Sequence, residues 1–482
     1  MSAEHLLPLL PEAAIAVGVV AVMIGDMALP SGRKAVAGII AVFACAAALL
    51  LAATGARGGV AGVIAVDGLA AVARPAILIA AILVLMAGRC EQERDDGHPA
   101  WAALILSLTL GAMLTAGATS MVTLYLGLEL MSLAGYALAA WRGGGRAAAE
   151  AGMKYVLFGG AASGVMLFGM SHLYGLTGHL GYAGIGDALG DGAPFAVLGA
   201  LALAGVGVAF KMAVVPLHIY APDVYQGAPA SAVAVLGTLP KIAAAAAIVR
   251  LVSLAVPESL LPPATLGLGL ALIAVASLLV AAFTAIASRD AKRIVAFSAI
   301  GHAGAVMLAL AALPEPGAVA AAAFYLAAYA PATIGALTCL AVLERERGSA
   351  SLDALAGAMR QRPWLSTALC LFLFSLAGIP PLAGFLAKWG VLREALRLGL
   401  AEPSRAYLAW SALALLISTA VAAWAYLLVV RAVVLQPAPE QPRAPRLAPG
   451  TAAVLLLCAA ATVGLGLWLD GFAAITRAMG FR

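Results

Sequence analysis

Eight ionisable residues stand where nearly everything around them is apolar: Glu129, Glu150, Lys154, Lys211, His218, Lys241, His302 and Lys388. Amine, carboxylate and imidazole groups take up and release protons, and burial shifts the balance between their charged and neutral forms. The lysines carry the most information. The chain has 22 Arg but only six Lys, and four of the six fall inside apolar runs. A lysine removed from water can give up its proton, whereas an arginine keeps its own. Each such charge costs roughly 2.5–3.5 kcal/mol at the centre of a membrane helix, so four do not persist as accidents of packing. The chemistry these residues suit is proton transfer through a low-dielectric interior.

Alternatives stand beside each residue. Lys154 lies only a few residues into its apolar run and could reach back to the interface. Glu150 and Lys154 are four apart on one helix face and could form a local surface pair. Glu129, in LYLGLELMSLAGYAL, has apolar or small residues for a full turn on each side. A lysine beside it would restore its charge and couple the two titrations, or the pair could be a purely structural ion pair. His218 and His302 are expected in separate interior helices, where an imidazole relays protons or serves as a hydrogen-bonded packing residue. His172 reads as structural. Tyr125, Tyr136 and Tyr155 could complete hydrogen bonds or only pack.

The element that must position these groups is Phe210–Pro229, FKMAVVPLHIYAPDVYQGAP. Pro216 removes a backbone donor, so a helix there breaks or kinks. In a bilayer such a break is tolerated only against protein or a wet cavity. A second break is expected in SLAGIPPLAGFLAKWGVL, where Pro380 and Pro381 precede Lys388. Broken helices carrying ionisable groups mark ion or proton paths.

Of 482 residues, 64% are hydrophobic and 11% charged, and the mean hydropathy is +1.03. That composition belongs to an all-α polytopic membrane protein in a lipid bilayer. Fourteen apolar runs are long enough to span: 9–29, 35–54, 68–88, 100–118, 120–141, 150–175, 194–221, 229–253, 264–288, 291–312, 317–343, 364–397, 406–434 and 450–470. Glu4 and His5 replace the basic start of a signal peptide, so the first run is expected to remain as a span. The net charge of +5 comes from dispersed residues, which is no signature of nucleic-acid binding. Five scattered cysteines, Cys45, Cys90, Cys339, Cys370 and Cys458, show no metal-ligand spacing, so redox centres are expected elsewhere.

Connections on one face of this arrangement carry sixteen Lys/Arg, including Arg33, Arg89, Arg94, Arg142, Arg293, Arg443 and Arg446. The other face and both tails carry seven, including Arg57, Arg250, Arg397 and Arg482. The richer face is expected to be cytoplasmic, which puts both termini outside. The two breaks lie five spans apart, and an odd shift inverts topology. This predicts an N-terminal three-helix segment (1–99), two inverted five-helix repeats (100–253 and 264–434), and a C-terminal helix (450–482).

The stretches LYLGLELMSLAGYAL, EAGMKYVLFGGAASGVMLFGMSHLYGLTG, AFKMAVVPLHIYAPDVYQGAPA with TLPK, KRIVAFSAIGHAG and SLAGIPPLAGFLAKW together resemble a known family. They are similar to the antiporter-like membrane subunits of bacterial respiratory complex I (NADH:quinone oxidoreductase), and among these to subunit N, the equivalent of mitochondrial subunit 2. The likeness runs from about residue 100 to 400. It implies a non-redox, proton-translocating subunit in the bacterial inner membrane, with two half-channels joined across the bilayer. Glu129 and Lys211 match the coupling pair, Lys241 the linking group, and Lys388 the lysine of the second broken helix. His218 and His302 match axial histidines, and Glu150 with Lys154 the family's sixth helix. The resemblance implies no cofactor on this chain. FMN, iron–sulfur clusters, NADH and quinone belong to other subunits, and the partners are other membrane-arm subunits, the sister antiporter-like ones included. Two rival readings are a subunit of a multi-subunit sodium/proton antiporter and a purely structural spacer.

Overall fold

In the bilayer a backbone amide finds no water, so each apolar run satisfies its own hydrogen bonds by winding into a helix. The computed structural model describes residues 7–28, 30, 34, 36–60, 62–92, 98–141, 145–189, 196–437 and 447–480, side chains 89–92 excepted. Glu4, His5, Arg33, Arg94, Arg142, Arg443, Arg446 and Arg482, and the side chains of Arg89 and Cys90, lie outside the described residues.

In chain order the helices are α1 (Leu10–Ala28), α2 (Val36–Ala53), α3 (Gly68–Gln92), α4 (His98–Gly117), α5 (Met121–Ala139), α6 (Gly145–Thr177), α7 (Tyr182–Ala188), α8 (Ala196–Met212), α9 (Ala221–Gly227) and α10 (Ala230–Ala255). There follow α11 (Pro263–Ile286), α12 (Ala291–Leu310), α13 (Pro316–Arg347), α14 (Ala358–Gln361), α15 (Pro363–Ala377), α16 (Ala383–Ala401), α17 (Tyr407–Leu435), α18 (Pro449–Leu467) and α19 (Gly471–Ala478). A short antiparallel hairpin, β1 (Gly58–Val60) and β2 (Ile64–Val66), links α2 to α3. Twelve helices among the described residues are long and apolar enough to cross a membrane. Two shorter apolar ones, α8 and α15, are the leading pieces of interrupted helices. Together these account for the fourteen expected spans, with both interruptions at the expected prolines.

The bundle is layered by burial. In α10 and α12, 89% of the most apolar window is inside the protein, against 28% in α2. The ionisable residues of interest are concentrated on or beside these inner helices. Close packing uses small residues. A Cβ at Gly111 of α4 would sit 2.7 Å from the Gly127 carbonyl oxygen of α5, so these helices touch backbone to backbone.

Both interruptions begin with the same turn. At the end of α8, Val214 N–H donates to the Ala209 carbonyl and Ala213 N–H to that of Phe210. At the end of α15, Ile379 N–H donates to Phe374 and Gly378 N–H to Ser375. This is the Schellman closure, and it needs a left-handed residue just past the helix. Ala213 takes that conformation at φ 57° and Gly378 at φ 89°. Each closure leaves the last two carbonyls of its helix without a backbone donor, and those carbonyls become binding points for lysine.

Two helix starts also match. Ser120 caps α5 and Asp290 caps α12, each side chain accepting from a backbone N–H three residues on. Ser120 bridges Gly181, with Met121 N–H to Leu180 O and Tyr182 N–H to Thr119 O. Asp290 bridges Ser351 through the same pair of bonds, Ala291 N–H to Ala350 O and Leu352 N–H to Arg289 O.

Two residues counted as loop charges are interior instead. Arg250 is 4% exposed; it binds both oxygens of Asp67 at 2.7 and 2.8 Å and the Ala116 carbonyl at 2.7 Å. It thereby ties α10 to the loop after β2 and to the end of α4. Burial alone would raise the Asp67 carboxyl, but the Arg250 guanidinium and the Ala70 and Leu69 N–H groups hold it below its usual value. Lys292, 2% exposed, donates to both oxygens of Glu344 at 2.8 and 2.9 Å and to the Ala228 carbonyl at 3.0 Å. Sequence position put both at span ends, and a guanidinium or ammonium there turns inward when a carboxylate and free carbonyls await it. Arg74, inside α3, is paired with Glu12 and donates to the Pro8 carbonyl at 3.1 Å.

Candidate functional site

Lys211 lies in the last turn of α8, 4% exposed, and its ammonium makes no hydrogen bond. Three rings surround it instead: Tyr155 at 5.4 Å, and Tyr136 and Phe210 at 5.7 Å each. Rings at this distance attract a cation by about 0.5–2 kcal/mol each, which offsets only part of the lost hydration. The box is itself braced, because Tyr220 stacks on Tyr155 at 5.0 Å and donates to the Phe210 carbonyl at 3.0 Å. Tyr136 and Tyr155, flagged in the sequence as possible hydrogen-bonding groups, serve here as aromatic walls.

Glu129 on α5 does not touch Lys211. Its helix face is not wholly apolar in context, since the Ser163 hydroxyl of α6 donates to its carboxylate. The carboxylate is half-buried and within electrostatic reach of Lys211 without closing an ion pair. The expected coupling pair is thus open in this structure, its two members separately accommodated.

Lys241, 1% exposed on α10, donates to the Met212 carbonyl at 2.6 Å. That carbonyl is one of those freed by the first Schellman closure, at the negative end of the α8 dipole. The contact places Lys241 one residue from Lys211 along the backbone it caps. Lys388, half-buried on α16, donates to the Leu376 and Ala377 carbonyls at 2.9 Å each, the free pair at the end of α15. Two lysines from different helices therefore solve the same problem at the two interruptions.

His302 is on α12 and shares a cavity with Lys388. It is 8% exposed, and electrostatic interactions connect it to both Lys241 and Lys388. Its Nδ1 is 2.7 Å from the Tyr325 hydroxyl of α13, and its Nε2 is 3.3 Å from the Tyr426 hydroxyl of α17. A cavity of about 30 Å³ is lined by His302, Lys388, Tyr325, Tyr426 and Ser298.

His218 is placed differently from expectation. It is half-buried in the non-helical link between α8 and α9 rather than inside a helix. Glu150 and Lys154 do meet, at 2.8 Å, but Lys154 is also 2.8 Å from Asp223 of α9, and its side chain is 37% exposed. Arg293 of α12 holds the other Asp223 oxygen at 2.8 Å. Lys154 is therefore part of a peripheral ion cluster joining α6, α9 and α12 rather than a deeply buried charge.

Ser163, Ser298, Tyr325 and Tyr426 were not singled out from sequence. Asp223 carried a signal, as a carboxylate just beyond the first break. Among the described residues, no group of three or more His, Cys, Asp or Glu side chains is placed to hold a metal, and Cys45, Cys339, Cys370 and Cys458 are buried free thiols.

A family model described as "NADH:quinone oxidoreductase/Mrp antiporter, TM" matches residues 118–414. NADH-quinone oxidoreductase subunit N of Anaeromyxobacter sp. (strain Fw109-5) is 34% identical over 489 residues, covering 95% of this chain and 93% of its own length. The subunit N protein of Rhodospirillum rubrum is 33% identical over 491 residues, covering 98% and 97%. Among solved structures, a chain of respiratory complex I from Thermus thermophilus with bound aureothin is 31% identical with a TM-score of 0.78, covering 96% of this chain and 98% of that one. A chain of the Mrp complex from Dietzia sp. DQ12-45-1b shares the fold, with a TM-score of 0.82 at 20% identity, covering 100% and 98%.

Proposed function

The chain belongs to the NADH:quinone oxidoreductase/Mrp antiporter membrane family and, within it, to the subunit N group of complex I; on that premise we propose that it moves protons across the membrane through Glu129, Lys211, Lys241, His302 and Lys388. The observation carrying this reading is the arrangement around the two interruptions. Lysines end at the carbonyls freed by each broken helix, and His302 lies in electrostatic reach of the linking and terminal lysines.

Lys211 is the group that cycles. No described residue accepts a hydrogen bond from its ammonium, and the Glu129 carboxylate is the charge within its electrostatic reach. An approaching Glu129 carboxylate favours the ammonium, and a departing one favours proton release. The proton then passes toward Lys241, His302 and Lys388, with water bridging the gaps. His218 and the Glu150–Lys154 pair supply access from the edge of the bundle. Quinone reduction elsewhere in the complex sets the Glu129–Lys211 distance. NADH, quinone, FMN and iron–sulfur clusters are bound by other subunits, and this chain packs against other membrane-arm subunits, including its antiporter-like sisters.

The inverted five-helix repeats are part of this reading. They are supported by the matched Schellman closures and by the identical bridges at Ser120–Gly181 and Asp290–Ser351. The proposed topology puts both termini on the periplasmic side of the bacterial inner membrane, with the Asp223 ion cluster on the cytoplasmic side.

The test uses the whole complex in inverted membrane vesicles. Glu129→Ala and Lys211→Ala should each lower NADH-driven proton uptake several-fold with the complex assembled. Wild-type uptake in both variants would overturn the assignment. Sodium-dependent transport that persists without NADH oxidation would favour the antiporter reading instead.

A further inference from the structure

The cavity beside Lys388 is lined by polar groups that the lysine chain does not use. His302 has hydroxyl partners on both ring nitrogens, Tyr325 at Nδ1 and Tyr426 at Nε2. The Tyr426 hydroxyl is also hydrogen-bonded to the Ser298 hydroxyl, one helical turn before His302 on α12. All four side chains are at least nine-tenths buried. Ser298, Tyr426, His302 and Lys388 line the same cavity of about 30 Å³, between α11, α12 and α17. A cavity needs only about 10–15 Å³ to admit a water, and one with several polar walls holds it.

Tyr426 has an alternative as pure packing, but its hydroxyl is badly placed for that alone. A buried hydroxyl needs one partner, and this one has two, both able to donate and to accept. An imidazole and two hydroxyls in series form a chain in which each member can receive a proton on one atom and release another.

We propose that Tyr426 and Ser298 are proton-transferring residues forming a branch that leads from His302 into the α11–α12–α17 cavity. The inference rests on the proton-translocating reading above and adds where the second half exchanges protons with water. The transfer balances at each member. His302 Nε2–H gives its proton to the Tyr426 oxygen as the Tyr426 O–H proton moves to Ser298. Ser298 O–H gives its proton to a cavity water, which leaves as hydronium, while a proton taken up at His302 Nδ1 from the Tyr325 side restores the imidazole. Rotation of the hydroxyls, together with a flip of the imidazole ring that returns its N–H to the Tyr426 side, resets the chain. No oxidant or reductant is required.

The experiment compares Tyr426→Phe, Ser298→Ala and the double variant in the intact complex in vesicles, with Lys388→Ala alongside. Tyr426→Phe removes one oxygen and keeps the ring, and should lower NADH-driven proton uptake several-fold. Ser298→Ala should lower it less. Because both interrupt one series path, the double variant should be no worse than Tyr426→Phe alone. Wild-type uptake in Tyr426→Phe, or losses that multiply in the double variant as independent packing defects do, would overturn the branch. If Tyr426→Phe fails to assemble, Ser298→Ala decides: reduced uptake with a raised solvent deuterium isotope effect supports the branch, and neither change refutes it. If Lys388→Ala also pumps normally, the parent reading fails; if only Lys388→Ala is impaired, the branch alone fails.

Discussion

At both interruptions the chain leaves its helix through a left-handed residue, yet alanine occupies that position in the first and glycine in the second. The surrounding supports differ in the same direction. The second break is held by its own helix pair: Ser375 accepts from Gly384 N–H at 3.2 Å, and Lys388 closes the α15 carbonyls. The first is held from outside, by Ser277 of α11 accepting from Val215 N–H at 3.0 Å and by Lys241 of α10. The lysine belonging to the first broken helix, Lys211, is left without a hydrogen bond. A left-handed alanine stores roughly 1–2 kcal/mol that glycine does not. The comparison teaches that one break is a settled anchor. The other is strained, answers to helices on either side, and carries the group most free to change state.

The largest expected contrast is between the two lysines. Lys388→Met leaves two buried carbonyls without a donor, which costs about 1–3 kcal/mol for each one stranded. Lys211→Met loses no hydrogen bond and relieves an unpartnered buried amine, so stability should hold or rise. Thermal unfolding of the two variants in lipid nanodiscs checks this, and equal losses would erase the distinction between anchor and mobile group. Next in size is an exchange of the left-handed residues. Gly378→Ala should destabilise by about 1–2 kcal/mol from backbone strain alone, and its Cβ would come within 3.0 Å of the Lys388 side chain. Ala213→Gly should gain about 1 kcal/mol by releasing the strain. If both substitutions shift the melting temperature in the same direction, the two closures are not different in kind.

The smallest effect concerns the Asp67–Arg250 clasp between α10 and the loop after β2. Asp67 is held below its unfolded value by Arg250, so its contribution to stability is present above the ordinary carboxylate range. That contribution fades as pH falls through the folded value. The melting-temperature gap between the wild type and Asp67→Asn should therefore be full at neutral pH and close below about pH 4. A gap that stays constant into acid would show that the clasp does not depend on the carboxylate charge.

Much of this comparison was legible beforehand. Apolar run length fixed the spans, and the prolines fixed where helices stop, because both are local consequences of backbone chemistry. The buried lysines were visible by their cost. What each lysine would reach was not, since Lys241 meets Met212 29 residues away and the partner is a backbone carbonyl with no side-chain signature. The inward turn of Arg250 was equally hidden, because Asp67 lies 183 residues away and only the folded bundle brings the two together. Tyr426 lies 124 residues from His302 and looks like any other span tyrosine. Lys211 is buried, whereas Glu129 is half-buried against the Ser163 hydroxyl, and whether the two touch depends on helix positions that no spacing encodes.

The aromatic box around Lys211 has an electrical consequence. Ring faces attract an ammonium without the fixed direction of a hydrogen bond. A full elementary charge crossing the bilayer exchanges about 2.3 kcal/mol with every 100 mV of transmembrane voltage. If Lys211 carries protons as proposed, any displacement of its charge along that field couples its protonation to the membrane voltage.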